Sequence, residues 1–371
     1  MALIMTAKLI SIIKILLRFT SRLLLREKSA EDFKKSCKAD KILIISLTHL
    51  GDIVLLSPFL YNLRRNFPHT QIDILLKEQV NEIIEDCPYI NNRIIYNAKW
   101  VIAKNRKGDG LVKTLKLIRR LRKSRYGSSF VTHPHIFSNI IPWLARVPFR
   151  AGYNDEVDGF LNIHMEKGKC IQHAHNYHLD LLRYLGLEVE SKAIEIFLSA
   201  KDMTFADEFY RNLSLPAISF FVGIHPGAGI RDKIWLPERF AEVIQYLINR
   251  YNAYILLFAG KQEVDITEKI KINLTGYEHR ISDFTGKTTL QQMASLMMLC
   301  KVILANDSGP MHIASALNKP TVALFAGMPE YRLKWVPVSE GSLVVSKGSR
   351  LEDIKVEDVI EALDKILLIN N

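Results

Sequence analysis

Cysteine is scarce and dispersed. Its four positions, Cys37, Cys87, Cys170 and Cys300, form no CxxC pair. This excludes a disulfide framework and a thiolate metal site, and fits a reducing compartment. No uncharged run approaches the ~18 to 20 residues that a bilayer-spanning helix needs, and no small-residue cleavage site follows a continuous apolar core. The chain also lacks a GxxxxGK[ST] phosphate loop and a GxGxxG fingerprint. It contains no DxD pair, the obvious clamp for a divalent metal, and no repeat of short period. What is present is ample apolar material: 371 residues at 48% hydrophobic content bury a sizeable core and favour two domains over one.

Charge is unevenly placed. Between Arg93 and Arg125 twelve Lys or Arg face the single acid Asp109, an excess equal to the formal net charge of +11 for the whole chain. Such a cluster is either a solvated helix face or a field that draws phosphate-bearing partners. The run KLISIIKILLRFTSRLLLR, residues 8–26, sets Lys14, Arg18, Arg22 and Arg26 at steps of four, with Leu, Ile and Phe on the other side. This pattern predicts an amphipathic helix lying in a membrane interface, cationic edge toward lipid phosphates, or packed on a protein surface.

From residue 41 onward short apolar runs of strand length alternate with helical patterns. The runs are KILIISL (41–47), QIDILL (71–76), SSFVTH (128–133), ISFFVGIHP (218–226), AYILLFAG (253–260), KVILAND (301–307) and TVALFAG (321–327). Alternation of this kind predicts βαβ units and parallel sheets in two α/β halves. The expected division is an amphipathic extension over 1–40, a first domain over 41–190, a linker over 191–217, a second domain over 218–345 and a C-terminal helix over 346–371.

Ligands of open parallel sheets sit beyond the carboxyl ends of the strands. After the first run, THLGDIVLLSP offers a turn at Gly51 and a carboxylate, Asp52, at the start of a helix, where it would also serve as a cap. After the fourth, HPGAGIRDKIWLPERF joins Gly227 and Gly229 to Arg231 and Lys233, a phosphate site or a plain turn. After AYILLFAG comes Glu263, placed either for ribose hydroxyls or simply for solvent. After KVILAND, Asp307-Ser308-Gly309 opens a helix whose N–H groups and dipole favour an anion, with His312 one turn inside. His173, His175 and His178 recur at close spacing, but no Cys or acid cluster accompanies them as metal ligands would require. His133 and His135 flank Pro134 at a strand end on the presumed cleft.

Six motifs in order, LGDIVLLSPFLYNLR, HAHNYHLDLLRYLGL, HPGAGIRDKIWLPERF, AGKQE, FTGKTTLQQMASLM and ANDSGPMHIASALNKPTVALF, resemble the lipopolysaccharide heptosyltransferases of glycosyltransferase family nine. The resemblance implies a GT-B fold: two Rossmann-like domains with parallel sheets facing across a cleft. It implies inverting transfer of a sugar from a nucleotide diphosphate, with ADP-heptose and a lipopolysaccharide-core glycolipid as the expected substrates. On it, Asp52 matches the general base and Lys233 the cation on the diphosphate. Glu263 matches the ribose contact, and Asp307, Ser308, Gly309 and His312 the donor motif, with Gly227, Gly229 and Arg231 beside them. Thr48, His49, Gly51, His133 and His135 fall on the acceptor side. No metal and no further cofactor are expected.

The chain departs from the family pattern in its first 40 residues and in FAGMPEYRLKW, which replaces an FGPT-type segment near the expected donor site. The expected location is cytoplasmic, peripheral on the inner face of the cytoplasmic membrane, with an anionic lipid surface as partner. A transferase using another nucleotide sugar, a sugar-nucleotide epimerase of the same fold and a non-catalytic nucleotide-sugar-binding membrane module are the competing readings. Nucleic-acid binding is raised by charge alone and is not expected.

Overall fold

The computed structural model describes residues 28–37, 41–97, 109–133, 135–153, 159–165, 171–213, 220–327 and 329–369. The amphipathic run of residues 8–26 lies outside them, as do residues 98–108 of the basic segment. Strands β1 (Lys41–Ser46), β2 (Ile72–Leu76), β3 (Asn92–Ile95), β4 (Tyr126–Val131), β5 (Phe149–Tyr153) and β6 (Ile163–Met165) form one parallel sheet in the order β3-β2-β1-β4-β5-β6. Strands β7 (Phe221–His225), β8 (Tyr254–Leu257), β9 (Ile281–Asp283), β10 (Cys300–Asn306), β11 (Thr321–Leu324) and β12 (Leu343–Val345) form the second, in the order β12-β11-β10-β7-β8-β9. Each of the seven apolar runs contributes a strand. The strands without such a run are β3, β5, β6, β9 and β12, and four of these are sheet edges. Partial burial and lengths of three to five residues leave no continuous apolar signature there.

Central strands read as unbroken apolar runs because both faces are covered. In β1, Ile42 and Ile44 point into one buried cluster while Leu43 and Ile45 point into another. In β10, Ile303 and Ala305 face one cluster, and Val302 and Leu304 the opposite one. The largest cluster runs from Phe59 and Phe130 in the first half to Phe258 and Phe325 in the second, so apolar packing is continuous between the sheets.

Residues 28–37, expected to belong to the extension, are packed on the first domain. Phe33, on the Ala30–Cys37 helix, is fully buried edge-on against Phe130. The described part of the expected linker, residues 191–213, is held to the first half by side-chain hydrogen bonds. The Asn62 side chain bonds Glu190 N–H and Ser191 C=O, and Ser57 Oγ accepts from Glu195 N–H. Residues Ala200–Asn212 then form a helix, capped by Ser199, whose Phe209 packs on Phe284 in the second half. Gln291 ties the three parts together: its amide donates to Glu82 C=O and Asp86, and its oxygen accepts from Ser199 N–H. The Val356–Ile369 helix closes the outer face of the second sheet with Val359, Leu363 and Leu367.

Candidate active site

Parallel strands bring their carboxyl ends, and the loops that follow them, to one side of each sheet. The loop after β1 leads into the short helix Leu50–Leu55, and the loop after β10 into the helix Gly309–Ala316. These two helices meet at their N-termini. A methyl group on Gly51 would lie 2.6 Å from His312 Cδ2, and one on Gly309 would lie 2.8 Å from Leu50. Glycine at both positions is therefore demanded by close approach across the seam, which sets Asp52 one residue from the donor motif.

Asp52 caps its own helix, accepting from His49 N–H at 3.1 Å through Oδ2. Its carboxylate is only partly buried. His49 sits on the cleft rim below its ordinary value of 6.5: loss of water contact contributes most, then the charge of Lys77, and Lys233 of the opposite domain adds to it against the pull of Asp52. Thr48 is buried in a hydroxyl chain with Ser46 (3.2 Å), which in turn accepts from Thr132 (3.0 Å), so it braces the ends of β1 and β4. His135 caps the helix Ile136–Leu144, its Nδ1 accepting from Phe137 N–H, and His133 lies half-buried at the end of β4.

On the donor side the Lys233 ammonium lies 2.7 Å from Asp307 Oδ2 and 2.5 Å from the Tyr331 hydroxyl, which itself donates to Asp307 at 3.1 Å. Burial works against the charge of Lys233, but the bonds to Asp307 and Tyr331 outweigh it and hold the ammonium above its ordinary value. Asn306, fully buried, fixes this arrangement: it accepts from Trp235 N–H and donates to Pro226 C=O, joining the loop after β7 to the end of β10. Glu263 lies against the backbone of Gly227, where an added methyl would sit 2.0 Å from its Oε1, and it accepts from Gly260 N–H at 2.7 Å. Gly229 and Arg231 stand exposed on the turn, and nothing would crowd a side chain at Gly229.

Ser308 opens the Gly309–Ala316 helix in extended conformation without capping it, and its buried Oγ has no protein partner. The buried Nδ1 of His312 also lacks one. Burying a polar atom unpaired costs ~1 to 3 kcal/mol, so both are suited to a ligand that brings hydroxyls or phosphate oxygens.

Sequence reasoning missed Tyr331 and Lys77. Tyr331 belongs to the FAGMPEYRLKW segment whose departure from the family pattern was the available signal. Lys77 follows directly on β2, at a strand end like the others, and is buried. The clustered histidines serve the seam. His173 Nε2 bonds Val336 C=O across the domains at 2.9 Å and its Nδ1 lies 2.7 Å from His175 Nδ1. A carbonyl only accepts, so His173 carries its proton on Nε2 and His175 must donate to the bare Nδ1. Among the described residues no group of three or more His, Cys, Asp or Glu is placed to hold a metal ion.

A pH dependence follows. Burial, then the charges of His173 and Lys192, pulls His175 down to about 4, and burial, then His173 and Lys233, pulls His312 down to about 3. Each takes up its proton near 6.5 once unfolded, so stability is fully present above that value and is lost as pH falls toward the folded values. In urea unfolding these two rings should together contribute a loss of about 2 kcal/mol between roughly pH 6.5 and pH 5.5, about 1 kcal/mol each, since protonation of the unfolded rings is only half complete at pH 6.5. His175→Phe should remove about half of that slope; an unchanged slope would show that these rings are not buried neutral.

A model of glycosyltransferase family 9 (heptosyltransferase) matches residues 114–362. The lipooligosaccharide heptosyltransferase 2 of Haemophilus ducreyi is 26% identical over 362 residues, covering 88% of this chain and 99% of that protein. The lipopolysaccharide heptosyltransferase 2 of Escherichia coli K12 is 26% identical over 360 residues with the same two coverages. The solved structure of E. coli ADP-heptose lps heptosyltransferase II superposes with a TM-score of 0.71 at 25% identity, over 89% of this chain and 99% of that one. With the family model reaching from the helix before β4 to the C-terminal helix, and so into both facing sheets, the chain belongs to glycosyltransferase family 9 (heptosyltransferase) and is a glycosyltransferase of GT-B fold.

Proposed function

We propose that the protein is an inverting, metal-independent heptosyltransferase that moves heptose from ADP-heptose to a phosphorylated lipopolysaccharide-core acceptor at the inner face of the cytoplasmic membrane. The observation that carries this reading is the seam itself: Gly51, the residue before Asp52, packs on His312 of the helix that opens with Ser308 and Gly309. Asp52 takes the proton of the acceptor hydroxyl as its oxygen attacks the anomeric carbon. The bond from that carbon to the diphosphate breaks on the opposite face, and ADP leaves with the electron pair. Lys233 and the amides at the Gly309 helix N-terminus take up the charge on the leaving group, the work that a divalent ion performs in other designs. Glu263, in the turn beyond β8, accepts from the ribose hydroxyls of the donor. The choice of ADP-heptose rests on the names of the relatives.

Isothermal titration against ADP, UDP, GDP and their sugars, with and without Mg²⁺, tests the donor. ADP and ADP-heptose should bind, at an affinity unchanged by metal. Preference for another base would overturn the donor assignment, and tighter binding with Mg²⁺ would overturn metal independence. Turnover of a nucleotide sugar with no acceptor present would replace transfer by epimerisation.

A further inference from the structure

The helix Leu111–Ser124 crosses from β3 to β4 and buries Leu117, Ile118 and Leu121 against the first sheet. Its other side carries two features that solvent alone does not explain. Leu111, Val112 and Leu115 are 75%, 66% and 52% exposed, clustered on its first turns. The rest of that side is cationic. Lys41, Lys116, Arg119, Arg120, Arg122 and Lys123 line an open groove of about 880 Å³, and among the described residues no acidic side chain lines it. The segment's lone acid, Asp109, is already paired with Lys113 at 2.8 Å.

We infer that this flank docks on an anionic lipid bilayer, with the leucines and Val112 inserted among the acyl chains and the cations on lipid phosphates. Charge complementarity favours the anionic surface, and an apolar trio continuous with a basic stripe is the pattern of an interfacial helix. The chain's own course agrees. Arg122 reaches across to Leu144 C=O, and beyond it lies a second groove lined by Lys28, Trp143 and Arg146, with no acid among the described residues that line it. Lys28 is where the chain arrives from the amphipathic run of residues 8–26, and Lys41, on the first groove, is where it enters β1.

The geometry also orients the enzyme. Lys41 opens β1, so the cationic groove lies at the pole of the sheet opposite the cleft, whereas Leu111 starts the helix on the cleft side. The helix spans about 21 Å. Docking along its flank sets the cleft mouth beside the lipid surface instead of aiming it into solvent. This deepens the proposed function and rests on its reading of the acceptor as a membrane glycolipid.

The test uses the full chain and co-sedimentation with vesicles of phosphatidylcholine, with or without phosphatidylglycerol, and free of any acceptor. The protein should sediment with the anionic vesicles and not with the neutral ones. Arg119→Glu with Arg120→Glu should weaken binding by at least about 25-fold, at about fivefold per charge lost. Leu111→Ser with Leu115→Ser should weaken it by about tenfold even at salt that screens the cations. Titration with ADP keeps each variant honest as folded protein, because none of these residues lies near the donor motif. Variants that bind vesicles as the parent does, while Arg18→Glu with Arg22→Glu abolishes binding, would overturn the inference in favour of the N-terminal run alone. Binding to RNA but not to anionic vesicles would also overturn it. Since the vesicles hold no acceptor, loss of transfer with vesicle binding intact would count against the proposed function and leave the docking surface standing.

Discussion

Asp52→Asn is expected to lower transfer by about 10²- to 10⁴-fold, the range that a positioned general base supplies, while donor affinity stays within about threefold. The substitution is well isolated. The amide oxygen of Asn accepts from His49 N–H as the carboxylate does at 3.1 Å, so the helix cap and the Gly51–His312 packing survive. What disappears is a group able to take a proton from the acceptor hydroxyl. Steady-state transfer and donor titration on the same preparation decide the matter. If the two fall together, Asp52 supports the donor site and the base lies elsewhere, with His49, also on the cleft rim and held below its ordinary value, the next candidate to replace.

Lys233→Met should remove about 10²- to 10³-fold of transfer and act on diphosphate binding as well, because the ammonium is the cation on the leaving group. In the free enzyme it is held by Asp307 and Tyr331, both within hydrogen-bond reach. A diphosphate entering the site therefore competes for a charge that is already oriented, and the orientation cost has been met in the fold. The discriminating readout compares ADP with adenosine. A cation on the phosphates predicts a large loss for ADP and little for adenosine, whereas equal losses would mean that Lys233 only props the loop after β7. Lys233→Arg should not restore activity, since a planar guanidinium does not fit a pocket shaped around a point charge between a carboxylate and a phenol.

Much of this could be read in one dimension. The seven apolar runs marked central strands because a strand covered on both faces must be apolar at every position, and that demand is written locally. The glycine, acid and helix-start signals at residues 51–52, 227–233 and 307–312 were legible for a similar reason: close backbone approach and anion-binding helix ends require particular residue types at particular offsets. The edge strands left no such trace. Half-buried or paired on one side only, β3, β6, β9 and β12 tolerate Asn, His and Asp, and their identity comes from the neighbour they pair with.

The tertiary structure decided which of these signals share a place. Asp52 and His312 are 260 positions apart in the chain, and only packing of one helix start on another shows that Gly51 and Gly309 are each small for the sake of the opposite domain. Tyr331 joined the site by folding back onto Lys233 and Asp307, a contact that no spacing rule predicts. The histidines of QHAHNYH, suggestive of a metal when read in a row, became a proton-ordered brace once the Val336 carbonyl was seen to receive one of them. The basic segment, evenly charged in the sequence, acquired a sided character when its helix buried one face and left leucines beside arginines on the other. Local chemistry is constrained by chain geometry over a few residues, whereas partnership between distant groups follows from burial, which belongs to the folded chain as a whole.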